Sequence, residues 1–173
     1  MIRLATLCLL LCIGGFQAMA QDDDARYIRA WASEWPNTDF SKKSIEFSEI
    51  LHGGPPKDGI PPIDEPVFRP VSEMADMDPR DPVIGVIING QAKAYPLSVL
   101  MWHEIANDTI GGLPVAVTYC PLCNTAIVFE RRVGGEVTTF GVSGKLRNSD
   151  MVMYRLQTFT WCEQAVGQGI LGN

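Results

Sequence analysis

The stretch Gly53 to Pro70, GGPPKDGIPPIDEPVFRP, holds six prolines, and this limits the fold more than any other feature. Each proline locks φ and removes a backbone donor, so neither a helix interior nor a central strand can form there. The span is predicted to be extended and turn-rich. Beyond it the apolar residues come in short runs cut by turn signals. Val83 to Ile88 is followed by Asn89-Gly90, the strongest two-residue hairpin signal, and Gln91 to Tyr95 then alternates polar and apolar up to Pro96. Pro114 to Tyr119 (PVAVTY) reads as a strand buried on both faces. Thr125 to Arg131, Gly134-Gly135 and Val137 to Val142 read as a second hairpin, and Asp150 to Thr160 as a last strand. Leu97 to Ile105 is a short helical candidate, with Asn107-Asp108 and Gly111-Gly112 after it as breaks. There is no βαβ alternation and no internal repeat. The expected class is α+β, β-rich, a mainly antiparallel sheet or open barrel with few short helices.

The first residues have a different logic. Met1-Ile2-Arg3 starts positive, Leu4 to Phe16 is nearly unbroken apolar sequence, and Ala18-Met19-Ala20 precedes an acidic run from Gln21. That order is a secretory signal with cleavage after Ala20, and the run is shorter than the ~20 residues that span a bilayer. The expected organisation is a signal peptide at 1–20, an extended proline-rich N-terminal arm at 21–70 whose scattered aromatics pack on the rest, and a single β-rich domain at 71–173. The mature chain is expected to be periplasmic or secreted, with no stable membrane span. With 14 Lys and Arg against 20 Asp and Glu, it lacks the positive footprint of a nucleic-acid binder.

Export also changes the cysteine count. Of five cysteines, Cys8 and Cys12 leave with the signal, and Cys120, Cys123 and Cys162 remain. An odd number leaves one thiol free, metal-bound or paired between chains. Cys120-Pro121-Leu122-Cys123 directly follows the buried strand. Its spacing brings two sulfurs close enough for a disulfide or for one metal. Three readings compete: a structural disulfide, a redox dithiol, and half of a soft-metal site for copper(I) or zinc(II). The thioredoxin version fits poorly, because Asn124-Thr125-Ala126 leads into a strand and not into the helix that would stabilise a thiolate.

His103, in Trp102-His103-Glu104, is the candidate partner for the thiols. It can serve as a base that lowers a thiol pKa or as a third metal ligand, with Glu104 and Asp108 available to fix its tautomer. The plainer alternative is a half-buried histidine satisfied by a backbone carbonyl. Ser143, Asn148, Ser149 and Asp150 sit in a polar stretch that reads as a solvated loop and can line the same cleft. The turn glycines match no phosphate-binding loop, and there is no GxSxG or HExxH pattern.

GGPPKDGIPPID, the run from VIGVIING through AYPLSVLMWHEIANDTIGGLPVAVTYCPLCNTAIVFERR, and TFGVSGKLRNSDMVMYRLQT occur here in order. Together they resemble the bacterial domain-of-unknown-function 3179 family, from about Ser41 to Gly172. The resemblance implies an exported protein marked by its CPLC pair and WHE histidine, and it nominates Cys120, Cys123 and His103. It also implies that Cys162 is particular to this sequence and that relatives continue beyond Asn173, leaving the domain C-terminally incomplete. The function expected first is thiol-disulfide redox chemistry at Cys120 and Cys123, tuned by His103, with a redox protein or small molecule as partner. The alternatives are a copper or zinc module using the same three residues, and a non-catalytic domain with a structural disulfide.

Overall fold

A computed structural model describes residues 23–75 and 77–172. The signal-peptide expectation and the cleavage at Ala20 lie outside the described residues. The chain divides after Pro36 into two compact units. The first holds helix α1, residues 23–31, on which Tyr27 and Trp31 pack ring to ring at 5.3 Å. The second, Asn37–Asn173, contains the β structure.

Two antiparallel sheets dominate that second unit. One has the order β1 (Ile50–His52), β10 (Phe140–Arg147), β11 (Asp150–Arg155), β12 (Trp161–Glu163), β13 (Gln168–Leu171). The other runs β2 (Ile63–Asp64), β5 (Ile105–Ile110), β6 (Leu113–Cys120), β7 (Thr125–Glu130), with β2 alone parallel to its neighbour. Hairpins β3–β4 (Val83–Ile88, Gln91–Pro96) and β8–β9 (Arg132–Val133, Glu136–Val137) complete the strands. Helix α2 covers Leu97–His103. The architecture is therefore mostly antiparallel β with two short helices, and the described strands close no barrel.

The second sheet lies between two apolar layers, which explains why PVAVTY is buried on both faces. On one side Ile105, Ala116 and Cys120 pack with Phe140, Val142, Met151, Met153 and Cys162 of the five-stranded sheet. On the other, Val115, Val117 and Tyr119 pack with Tyr95, Leu100, Ile84 and Val86 from the β3–β4 hairpin and α2. Alternation along β6 sends successive side chains to opposite layers.

The strand expected over 150–160 ends at Arg155 and is not the last, since β12 and β13 follow it; three further expectations need correcting. Asn107 and Asp108 do not break the chain; they lie inside β5, both buried. Each is satisfied on its own face. Asn107 Nδ2 donates to the Phe140 carbonyl (2.8 Å) and to Asp64 Oδ1 (2.8 Å), while its Oδ1 accepts from Phe140 N (3.0 Å). Asp108 accepts from Lys93 Nζ (2.7 Å) and Tyr95 OH (2.6 Å). Buried polar groups are tolerated when fully paired, and local propensity cannot anticipate partners 13 to 43 residues away. Second, β7 does not form a hairpin with the strand at 140; it pairs with β6, Cys120 opposite Thr125. Third, residues 143–147 are strand and not solvated loop. A bulge at Val142/Lys145 interrupts the ladder without ending it, and Asn148 and Ser149, both at positive φ, close a two-residue turn of the I′ kind.

The proline segment is extended, as expected. Gly53 N donates to the Gly144 carbonyl (2.8 Å), and Asp58 accepts from Tyr154 OH at 2.8 and 2.9 Å. Residues just before the β unit reach the five-stranded sheet at both ends: β1 is its edge strand beside β10, and Lys43 bridges Leu171 of β13 at the other edge.

Candidate metal centre

CPLC sits at the tip of the β6–β7 hairpin. Cys120 ends β6, Pro121 to Asn124 turn the chain, and Asn124, at φ 49°, enters β7. The turn is held by Tyr119 OH donating to Asn124 Oδ1 (3.0 Å) and by Thr125 Oγ1 donating to the Cys123 carbonyl (3.2 Å). Packing the two sheets together brings this tip against the Asn148-Ser149 turn. Cys120 Sγ lies 3.9 Å from the Ser149 carbonyl oxygen, and Cys123 Sγ donates to Asp150 Oδ1 at 3.3 Å. The other oxygen of Asp150 accepts from Ala165 N (2.8 Å), which orients the carboxylate.

Cys120, Cys123 and Asp150 thus offer two sulfurs and an oxygen, all within 4.8 Å of one another. Among the described residues no other His, Cys, Asp or Glu cluster of three meets that separation. Cys120 and Asp150 are buried and Cys123 is half-buried; none of the three described cysteines is in a disulfide. Burial, and next the neighbouring Cys123, push the Cys120 thiol up to about 12. No helix starts at the pair, so nothing of the thioredoxin kind lowers that value. A bound cation would, since coordination deprotonates a thiol outright.

The remaining predicted residues fall elsewhere. His103 ends α2, and its Nδ1 lies 2.8 Å from the Pro61 carbonyl oxygen. A carbonyl only accepts, so Nδ1 carries the proton. Neither ring nitrogen belongs to the Cys–Cys–Asp group. Glu104 caps α2 at φ 59°, and burial raises its carboxyl to about 7. Asp108 is engaged on the far layer by Lys93 and Tyr95. Ser143 Oγ donates to the Val152 carbonyl and accepts from Lys145 N (3.0 Å), which stitches the bulge. Asn148 is exposed in the turn.

Sequence reasoning named Asp150 as lining but not as a partner of the thiols, and it missed Gln164. That residue is fully buried; its Nε2 donates to Thr118 Oγ1 (2.9 Å) and to the Thr125 carbonyl (3.1 Å), which ties the end of β12 to the hairpin carrying the cysteines. The turn signal at Asn148-Ser149 could have placed Asp150 at a strand start. No sequence signal marks Gln164.

A family described as "Protein of unknown function (DUF3179)" matches residues 57–173. The match covers most of the chain and all of the Cys–Cys–Asp group, and the chain belongs to that family. No curated protein and no solved structure matches it.

Proposed function

We propose that the chain is an exported metal-binding protein that holds one zinc-like divalent ion through Cys120, Cys123 and Asp150. The observation that carries this reading is the convergence of three donor atoms from two hairpin tips, with Asp150 standing where the sequence alone suggested His103. Tetrahedral zinc places its sulfur ligands ~3.8 Å apart, so donors within 4.8 Å need only side-chain adjustment to close on an ion. Two thiolates favour a soft or borderline metal, and the carboxylate favours a divalent ion over copper(I). The half-buried side of Cys123 leaves the fourth position to water or a small ligand. Three anionic ligands over-neutralise a divalent ion, which makes it a poor Lewis acid and suits holding or transferring the metal. Export rests on the order of charged, apolar and small residues at 1–20.

Titration of the reduced protein with zinc, and with cobalt to read thiolate charge-transfer absorption, tests the site. One ion per chain is expected. Asp150→Ala and Cys123→Ser should weaken binding by more than the ~10–100-fold that loss of an outer partner costs, while His103→Ala leaves it unchanged. Absence of stoichiometric uptake overturns the reading. Loss of binding in His103→Ala with retention in Asp150→Ala would return the third ligand to the histidine.

A further inference from the structure

The two sulfurs that would hold the ion are also unequal as thiols. Cys120 is 1% exposed, enclosed by Ile105, Ala116, Val142 and Met151, whereas Cys123 is half-buried at the turn beside the exposed Leu122. Both lie within 4.8 Å of each other on one hairpin tip, so side-chain rotation can bring them to bonding distance. From this we infer that oxidation of these two thiols by a disulfide reagent releases the ion, with Cys123 attacking first and Cys120 resolving. The inference rests on the metal reading and adds its regulation.

The step balances. Cys123 Sγ attacks one sulfur of a disulfide R–S–S–R and displaces one thiolate, RS⁻. Cys120 Sγ then attacks Cys123 Sγ and displaces the second RS⁻. The pair loses two electrons, the reagent gains two, and a Cys120–Cys123 disulfide forms. Asp150 is left as the single charged donor, and one carboxylate does not retain the ion that three anions held. The order is dictated by access, because a disulfide must approach the attacking sulfur in line. Only Cys123 permits that approach.

The test uses zinc-loaded protein carrying Cys162→Ala, which removes the bystander thiol, treated with excess oxidised glutathione. A chromogenic chelator should read one zinc released per chain, and mass analysis should find the Cys120–Cys123 disulfide. Adding Cys120→Ser should trap a glutathione adduct on Cys123, whereas adding Cys123→Ser should give no adduct. If a serine variant fails to fold, timed alkylation of metal-free Cys162→Ala protein gives the same order, with Cys123 labelled before Cys120. Zinc retained under oxidant, or Cys120 reacting first, overturns the inference while leaving the metal site standing. A protein that never takes up zinc overturns both.

Discussion

Glu104 shows most clearly how one position carries a cost that its neighbours do not. It ends α2 at positive φ, a conformation that non-glycine residues seldom adopt. Its carbonyl accepts from Tyr119 N (2.8 Å), so the strained residue joins the helix to the strand that carries Cys120. Its carboxyl is raised from 4.5 to about 7 by burial. A carboxyl that binds its proton more tightly when folded gives full stability below the unfolded pKa, and that stability is lost as pH rises through the folded value. Glu104→Gln should therefore stabilise the protein at pH 8, by roughly 1–3 kcal/mol for a shift of this size, and change little at pH 4. Chemical denaturation at both pH values reads the difference; equal midpoints for the two proteins at pH 8 would disprove the burial cost. The positive φ of this glutamate has no signature in the sequence, since WHEI reads simply as the end of a helical run.

At the scale of elements, register and turns decide which residues meet. The Asn89-Gly90 hairpin was legible because its turn chemistry is local: Asn89 and Gly90 both adopt positive φ, and β3 and β4 pair in full register around them. The β6–β7 pairing was not legible, because CPLCN gives no standard two-residue turn and Gly134-Gly135 offered a better local signal. That signal is real but closes only the short β8–β9 pair. The bulge in β10 depends on Gly144, at φ 70°, where a Cβ would lie 2.1 Å from the Pro55 carbonyl oxygen. Both the backbone conformation and the close approach of the proline segment exclude a side chain there. Gly144→Ala should destabilise by roughly 1–3 kcal/mol and loosen the proline segment, read as a lower denaturation midpoint with faster proteolysis near Lys57. Wild-type stability in this variant would show that the segment is not clamped to β10.

For the chain as a whole, the titrating groups that burial perturbs most are acids kept neutral. Burial pushes the Cys120 thiol up to about 12 and the Cys162 thiol to about 11, and it raises the Tyr95 and Tyr154 hydroxyls. Each holds its proton more tightly folded than unfolded, so the stability it contributes is complete below the unfolded pKa and lost as pH climbs to the folded one. With an unfolded thiol near ~8.5, the metal-free reduced protein should weaken from about that pH upward. Thermal melts between neutral and alkaline pH check this, and Cys162→Ala should flatten part of the fall. Stability constant to pH 11 would contradict it. No helix among the described residues is long and apolar enough to cross a membrane.

The local facts are readable from the residues alone. Prolines kept helix and central strand out of 53–70, where only the two-residue edge strand β2 forms, Asn-Gly made a hairpin, β-branched runs made strands, and CPLC put two sulfurs three residues apart. These follow from φ restrictions and side-chain periodicity, which act over a few residues. Tertiary packing was needed to bring Asp150, 27 residues beyond Cys123, to the two thiols. It likewise decided that His103 turns to a backbone carbonyl, and that Asn107 and Asp108 are paired inside a strand. Those outcomes depend on how two sheets stack and which turns then face each other. Burial energy sets that arrangement over the whole β unit, and no short window of sequence contains it.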